Sequence, residues 1–137
     1  VQRYRSRISG PLLDRIDIHV EVPRVRFETV HSDEVPESSK SIRKRVERAI
    51  AIQKERFKGR NILFNSQMSA REIADFCKLD KEGVEILRSA FNQMGLSARA
   101  HARILKVART IADLEQAEKI QPHHLAEAIH YRALDRD

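Results

Sequence analysis

The chain has 137 residues, of which 41% are hydrophobic, 34% charged and 5% aromatic, enough for one small domain with a helical core at the polar edge of the globular range. Lys and Arg number 26 against 20 Asp and Glu, a net +6, which favours a polyanion as partner and says nothing of fold. A single cysteine, Cys77, excludes an internal disulfide and the usual multi-cysteine zinc site, and no apolar run approaches the roughly 20 residues that span a bilayer.

The first patterned segment is Arg15-Ile16-Asp17-Ile18-His19-Val20-Glu21-Val22. Its strict alternation predicts a strand with one buried face, ended by Pro23, which offers no backbone donor. A lone strand cannot satisfy its own backbone groups, so its partners are expected outside this chain. The alternative is an extended N-terminal arm laid on a helical body. Residues 1–36 are accordingly expected to be poorly ordered in the isolated chain, or to pair with another copy through this strand. Residues 24–37, with Pro23 and Pro36 at their edges, read as loop.

Everything after the loop reads as helix. Ser38 or Ser39 caps a long helix with Ile42, Val46, Ala49, Ile50 and Phe57 at 3.6-residue spacing, stopped at Gly59. Ser69-Ala70-Arg71-Glu72 is a capping box ahead of Ile73 and Phe76. Asp80 opens a helix carrying Val84, Leu87, Ala90, Phe91 and Met94 to a stop at Gly95. Ser97 opens the next, with Ile104, Leu105, Ala108, Ile111, Ala112 and Leu114, and Pro122 suits the first turn of a last helix burying Leu125, Ala128 and Ile129. The expected fold is mainly α, a small bundle of about five helices preceded by one β-strand.

No self-contained active site is legible. None of the four glycines is followed by Lys, so no G-x-x-x-x-G-K-[ST] phosphate loop exists in this sequence, and no H-E-x-x-H pattern occurs. His123 and His124 are adjacent, and side chains about 100° apart on a helix are not expected to grip one metal; no metal role is expected. Cys77 reads as a small core residue. Arg3, Arg5 and Arg7 lead into no signal-type hydrophobic region, so a cytoplasmic location is expected. The absence of an initiator Met suggests that the chain is cut from something longer.

Three sets of cations remain. Arg15 stands at the lip of the expected strand, where its fork of donors can reach an anion or pair with Asp14 or Asp17. Arg99 falls in the first turn of its helix, with Arg103 and Lys106 on nearly the same face. A cation there opposes the helix dipole, a slight cost that is easier to understand if it serves an anion, although a solvated basic face explains it too. The helix from Ser38 to Lys58 carries eight cations against Glu47 and Glu55. Arg43, Lys44 and Arg48 there are candidates for nucleic-acid phosphates, but without interleaved aromatics base stacking is not indicated, and a plain solvated face is the alternative.

These arginines fall within two long stretches, residues 5–23 and residues 96–114, the first containing Gly10-Pro11-Leu12-Leu13-Asp14-Arg15 and the second Leu96-Ser97-Ala98-Arg99-Ala100-His101. Together with the closing His124-Leu125-Ala126-Glu127-Ala128-Ile129-His130-Tyr131-Arg132 they resemble the C-terminal part of the magnesium-chelatase-like AAA+ proteins, the ComM/YifB family, over essentially the whole chain. The resemblance implies that residues 1–25 end an ATPase core, 26–35 form a linker and 36–137 form the helical lid. It implies that Arg15 is an arginine finger acting in trans and that Arg99 is the sensor-2 residue touching the γ-phosphate in cis. ATP and Mg2+ would belong to the full-length protein and neither to this fragment, because Walker A, Walker B and sensor 1 are absent; the fragment alone is expected to be inactive. The implied partners are the protein's own AAA+ core, neighbouring subunits of a homo-oligomeric, hexameric ring, and branched DNA. Related helicases carry Phe after the finger arginine, where this chain has Ile16. Two other functions compete: a stand-alone basic helical DNA-binding module, and the motor subunit of a magnesium chelatase.

Overall fold

Short polar caps start the helices where the sequence marks them. The computed structural model describes residues 12, 15–24 and 35–132. Its helices are α1 (Ser39–Arg56), α2 (Ala70–Phe76), α3 (Lys81–Met94), α4 (Ala98–Leu114) and α5 (Pro122–His130), with a 3-10 turn at Asn65–Gln67 between α1 and α2. The first backbone N–H groups of a helix lack intrahelical partners, and here side chains take them up. Ser38 Oγ accepts from Ser41 N at 3.2 Å, Asp80 Oδ1 from Gly83 N at 2.7 Å and Ser97 Oγ from Ala100 N at 3.2 Å. In the predicted capping box, Ser69 N donates to Glu72 Oε2 at 2.8 Å. Gly95 closes α3 in the left-handed conformation, φ 60°, which a side chain would strain.

Helix α4 is the spine of the bundle and packs against α1, α2, the 3-10 turn and α5, while α3 packs on α5. Its buried face, Ala100, Ile104, Leu105, Ala108, Ile111 and Ala112, meets Leu125 and Ala128 of α5, with Phe57, Met68, Cys77 and Ile120 filling in from the connections. Small residues at 100, 108 and 112 let neighbouring elements approach closely. Phe57 and Phe76 meet edge to face at 5.5 Å between centroids, a favourable aromatic geometry.

Two apolar patterns do not end in burial. Along α1 only Ala49 and Gln53 are buried; Ile42 and Val46, two turns and one turn before Ala49 on the same face, remain 44% and 43% exposed. The stripe continues past the point where α4 stops facing it, and nothing among the described residues covers it. The expected strand is the other case. Residues 16–24 include no strand, and no strand occurs among the described residues. Ile16, Ile18, Val20 and Val22 are 41%, 48%, 63% and 83% exposed, because no neighbouring strand is there to build a sheet. What forms is the alternative: an arm laid on the helical body, with His19 N donating to Tyr131 O at 2.8 Å. Ile18 and Val20 line an apolar groove of about 360 Å³ shared with Val107, Ile111, Leu114 and Tyr131. The expectation of poor order over residues 1–36 falls largely outside the described residues.

Candidate functional site

The arm brings Arg15 to the bundle by its backbone. Arg103 of α4 donates through Nη1 to Arg15 O at 2.9 Å and ion-pairs the Asp17 carboxylate, while Arg132 Nη1 donates to Ile16 O at 3.0 Å. Of the two carboxylates considered as partners for Arg15, Asp17 is therefore taken by Arg103, and Asp14 lies outside the described residues. Among the described residues no hydrogen bond or ion pair engages the exposed Arg15 guanidinium.

Arg99 is exposed in the first turn of α4, which contains no acidic residue. Its guanidinium also has no partner among the described residues. The two cations that share its face behave differently. Arg103 is occupied by the arm, and Lys106 Nζ donates to Ser66 O at 2.9 Å. Among the described residues the basic face thus separates into two structural cations and one, Arg99, that nothing engages. Helical rise puts Arg103 about 6 Å along the axis from Arg99, so the Arg15 turn lies against the same end of α4 as Arg99.

A second constellation escaped the sequence reading. The Asp113 carboxylate, with a side chain 0% exposed, accepts from Arg56 Nη1 at 2.7 Å, Asn65 Nδ2 at 2.8 Å and Arg109 Nε at 3.1 Å, and Arg56 Nη2 also pairs with it. Asn65 Oδ1 accepts from Arg56 Nη1 at 2.9 Å, and Gln53 Oε1 accepts from Asn65 N at 2.9 Å. Arg109 further donates to the carbonyls of Ala117 and Glu118 at 2.6 and 2.9 Å. Burial pushes the Arg109 pKa down, and the Asp113 charge works against that shift. These contacts are internal, so the network ties α1, the 3-10 turn and α4 together. The i, i+4 pair Arg109/Asp113 is visible in the sequence; Arg56, 57 residues from Asp113, is not.

The two adjacent histidines correct an expectation. His123 Nε2 and His124 Nε2 converge on Glu115 Oε2 at 3.0 and 2.9 Å, with ring centroids 4.0 Å apart. Helical side chains lean toward the N-terminus, so residues in the first turn reach back past the helix end together and need not diverge by 100°. Hydrogen bonds from His123 and then His124 hold the Glu115 carboxyl below its usual pKa. Gln121 N donates to His124 Nδ1 at 2.9 Å, which leaves the proton of the neutral ring on Nε2, facing Glu115. A metal at that nitrogen needs the other tautomer, so the trio reads as a tie between the end of α4 and the start of α5.

Arg43, Lys44 and Arg48 are all exposed on the first turns of α1, clear of the bundle. Cys77, at the end of α2, is 4% exposed, and burial raises its thiol pKa to about 11; it is the core residue that the sequence suggests. No helix among the described residues is long and apolar enough to cross a membrane.

The described residues thus form a helical bundle with an arm strapped across it, and among them nothing engages the guanidiniums of Arg15 and Arg99. Residues 36–132 match the family described as "Magnesium chelatase, subunit ChlI C-terminal", and residues 1–30 match "Magnesium chelatase, subunit ChlI". The chain is 44% identical over 135 residues to YifB of Escherichia coli and 42% identical over 137 residues to the competence protein ComM of Haemophilus influenzae. It is 41% identical over 136 residues to YifB of Salmonella typhimurium. The alignments cover 98–99% of the chain but 26% of each relative, so the chain spans about a quarter of their length. The chain belongs to the magnesium-chelatase-like family that includes ComM and YifB.

Proposed function

We propose that this chain is the lid-bearing C-terminal region of a AAA+ ATPase that couples ATP binding and hydrolysis to remodelling or branch migration of DNA. On this reading residues 1–25 end the ATPase core, 26–35 link and 36–137 form the lid, a division that runs close to the limits of the two family matches, 1–30 and 36–132. The alternation of residues 16–22 is then that of a core strand, paired through the backbone groups that the contacts at Ile16 O and His19 N leave free. The carrying observation is that among the described residues nothing engages the guanidiniums of Arg15 and Arg99, while Arg103 and Lys106 are bound.

Arg15 is assigned as an arginine finger reaching the nucleotide of a neighbouring subunit, and Arg99 as the sensor-2 residue on the nucleotide of its own. Hydrolysis spreads negative charge over the γ-phosphoryl oxygens, and an aimed guanidinium there is worth about 10³–10⁵ in rate. Supplying one charge from a neighbour and one from a movable lid makes turnover depend on a closed ring, a hexamer in this proposal. Mg2+ neutralises phosphate charge when ATP is bound. Among the described residues the grouped metal donors, Glu115 with two histidines, are nitrogen-rich and unsuited to that hard cation; this proposal assigns both ATP and Mg2+ to the remainder of the longer protein and has the isolated chain inactive, because its sequence holds no phosphate loop. Arg43, Lys44 and Arg48 supply a phosphate-tracking surface for DNA.

The strap favours a second arrangement, in which Arg15 and Arg99, carried at one end of α4, both serve the neighbour's nucleotide. Mixed rings separate the two. In the full-length protein Arg15→Ala is expected to nearly abolish ATP hydrolysis while sparing nucleotide binding, and undiminished turnover refutes the finger. Arg99→Ala subunits doped with Walker-defective ones recover activity at shared interfaces only if Arg99 acts in trans; the cis assignment expects no recovery. A salt titration of DNA binding by the isolated chain tests the stand-alone alternative: micromolar affinity with a steep salt slope favours a DNA-binding module. A chelatase motor would share the ATPase chemistry, and metal insertion by the full-length protein would distinguish it.

A further inference from the structure

We infer that Arg103 and Arg132 are positioning residues that wire Arg15 to the helical bundle, so that any rotation of the bundle moves the guanidinium this subunit presents to another. Apolar burial holds the arm over residues 15–19 only in part, since Ile16 and Ile18 are 41% and 48% exposed and His19 is half-buried. Directional polar contacts to its backbone and to the Asp17 carboxylate do the rest. Arg103 binds the carbonyl of Arg15 itself and the carboxylate two residues on; Arg132 binds the carbonyl of Ile16; Tyr131 O accepts from His19 N. Those contacts come from two separate places in the bundle, the second turn of α4 and the turn after α5, which are joined by the tightest part of the core around Ile104, Ala108 and Leu125.

Arg132 carries the argument furthest. Its residue is 1% exposed, and burying a guanidinium is costly unless its donors are used. One of those donors is aimed at the carbonyl immediately after Arg15, 116 residues away in sequence. With the carbonyls of residues 15 and 16 both fixed, the φ/ψ freedom that would let the Arg15 side chain wander is removed at its root. Arg103 reaches its two oxygens through a single nitrogen, Nη1, so the contact needs a donor at one point and not the full guanidinium fork.

This inference rests on reading Arg15 as a finger, and the experiment is arranged to separate the two. Arg103→Ala is made in the full-length protein, because its side chain is partly exposed and its loss leaves the core intact; Arg132→Met serves as a second variant. Amide exchange over residues 15–24, the KM for ATP and kcat are measured together. The expected result for Arg103→Ala is faster exchange, a kcat reduced by about tenfold or more, the factor expected for loss of one charge-assisted contact, and a KM for ATP unchanged within about twofold. Arg103→Lys, which keeps a single donor, recovers most of the kcat. If Arg15→Ala is inactive while Arg103→Ala turns over at the wild-type rate, the wiring is overturned and the finger stands. If Arg15→Ala is fully active, the finger reading fails, and exchange alone decides: protection over residues 15–24 unchanged in both Arg103→Ala and Arg132→Met overturns the strap.

Discussion

Replacing Asp113 with Ala tests whether the bundle is stabilised where the structure says it is. The carboxylate is the shared acceptor of Arg56, Asn65 and Arg109, and its side chain is 0% exposed while those of Arg56 and Arg109 are 12% and 3% exposed. Truncation leaves two buried guanidiniums without their counter-charge, a loss of about 3–5 kcal/mol for breaking a buried pair. Arg109 keeps the carbonyls of Ala117 and Glu118, and Arg56 keeps Asn65 Oδ1, which places the expected cost at the low end, about 3 kcal/mol. At about 4 °C per kcal/mol for a bundle of this size, the Tm falls by about 12 °C. Glu85→Ala is the control: its partner Arg88 lies at 3.0 Å, but both side chains are more than 60% exposed, and the change should stay within about 0.5 kcal/mol. Urea unfolding followed by far-UV circular dichroism suits a protein with no Trp. A loss below about 1 kcal/mol for Asp113→Ala would show that the network is not stabilising in the way its geometry implies.

The buried thiol and the histidine tie give two further expectations. Cys77 should react with a thiol reagent at pH 8 only as fast as the bundle opens, since burial lifts its pKa from 9.0 to about 11; labelling at the rate of a free thiol in native buffer contradicts its core position. Keeping that thiol protonated stabilises the fold fully below pH 9.0, and the contribution is lost as pH rises through about 11. The Glu115 carboxyl is depressed in the fold, so its contribution is present above the ordinary 4.5 and is lost as pH falls through the lower folded value. The stability difference between wild type and Glu115→Gln should therefore shrink as acid is added below pH 4.5, and a difference that grows there refutes the tie. Removing charge at Arg43, Lys44 and Arg48 together should leave the Tm unchanged within about 2 °C, since exposed side chains contribute little, while flattening the salt slope of any DNA binding.

The helices were determined locally. Ser38, Ser69, Asp80, Ser97 and Pro122 mark their starts, and Gly59 and Gly95 mark two of the stops, because caps and left-handed turns depend on a few neighbouring residues. The core positions of α4 and α5 follow from the same local period. Arg15 and Arg99 were legible as candidates for the site, though not as the free members of their groups. Only the tertiary structure shows that Asp17 is spent on Arg103 and Lys106 on Ser66, since those contacts join residues 86 and 40 apart. The same holds for Arg56 with Asp113, and for Ile42 and Val46, whose period is that of a buried face but whose neighbours end too soon. The segment from Ile16 to Val22 shows the limit most plainly. Alternation is a property of the chain, whereas a strand is a property of a pair, and here the chain meets arginines and a helix end in place of a sheet.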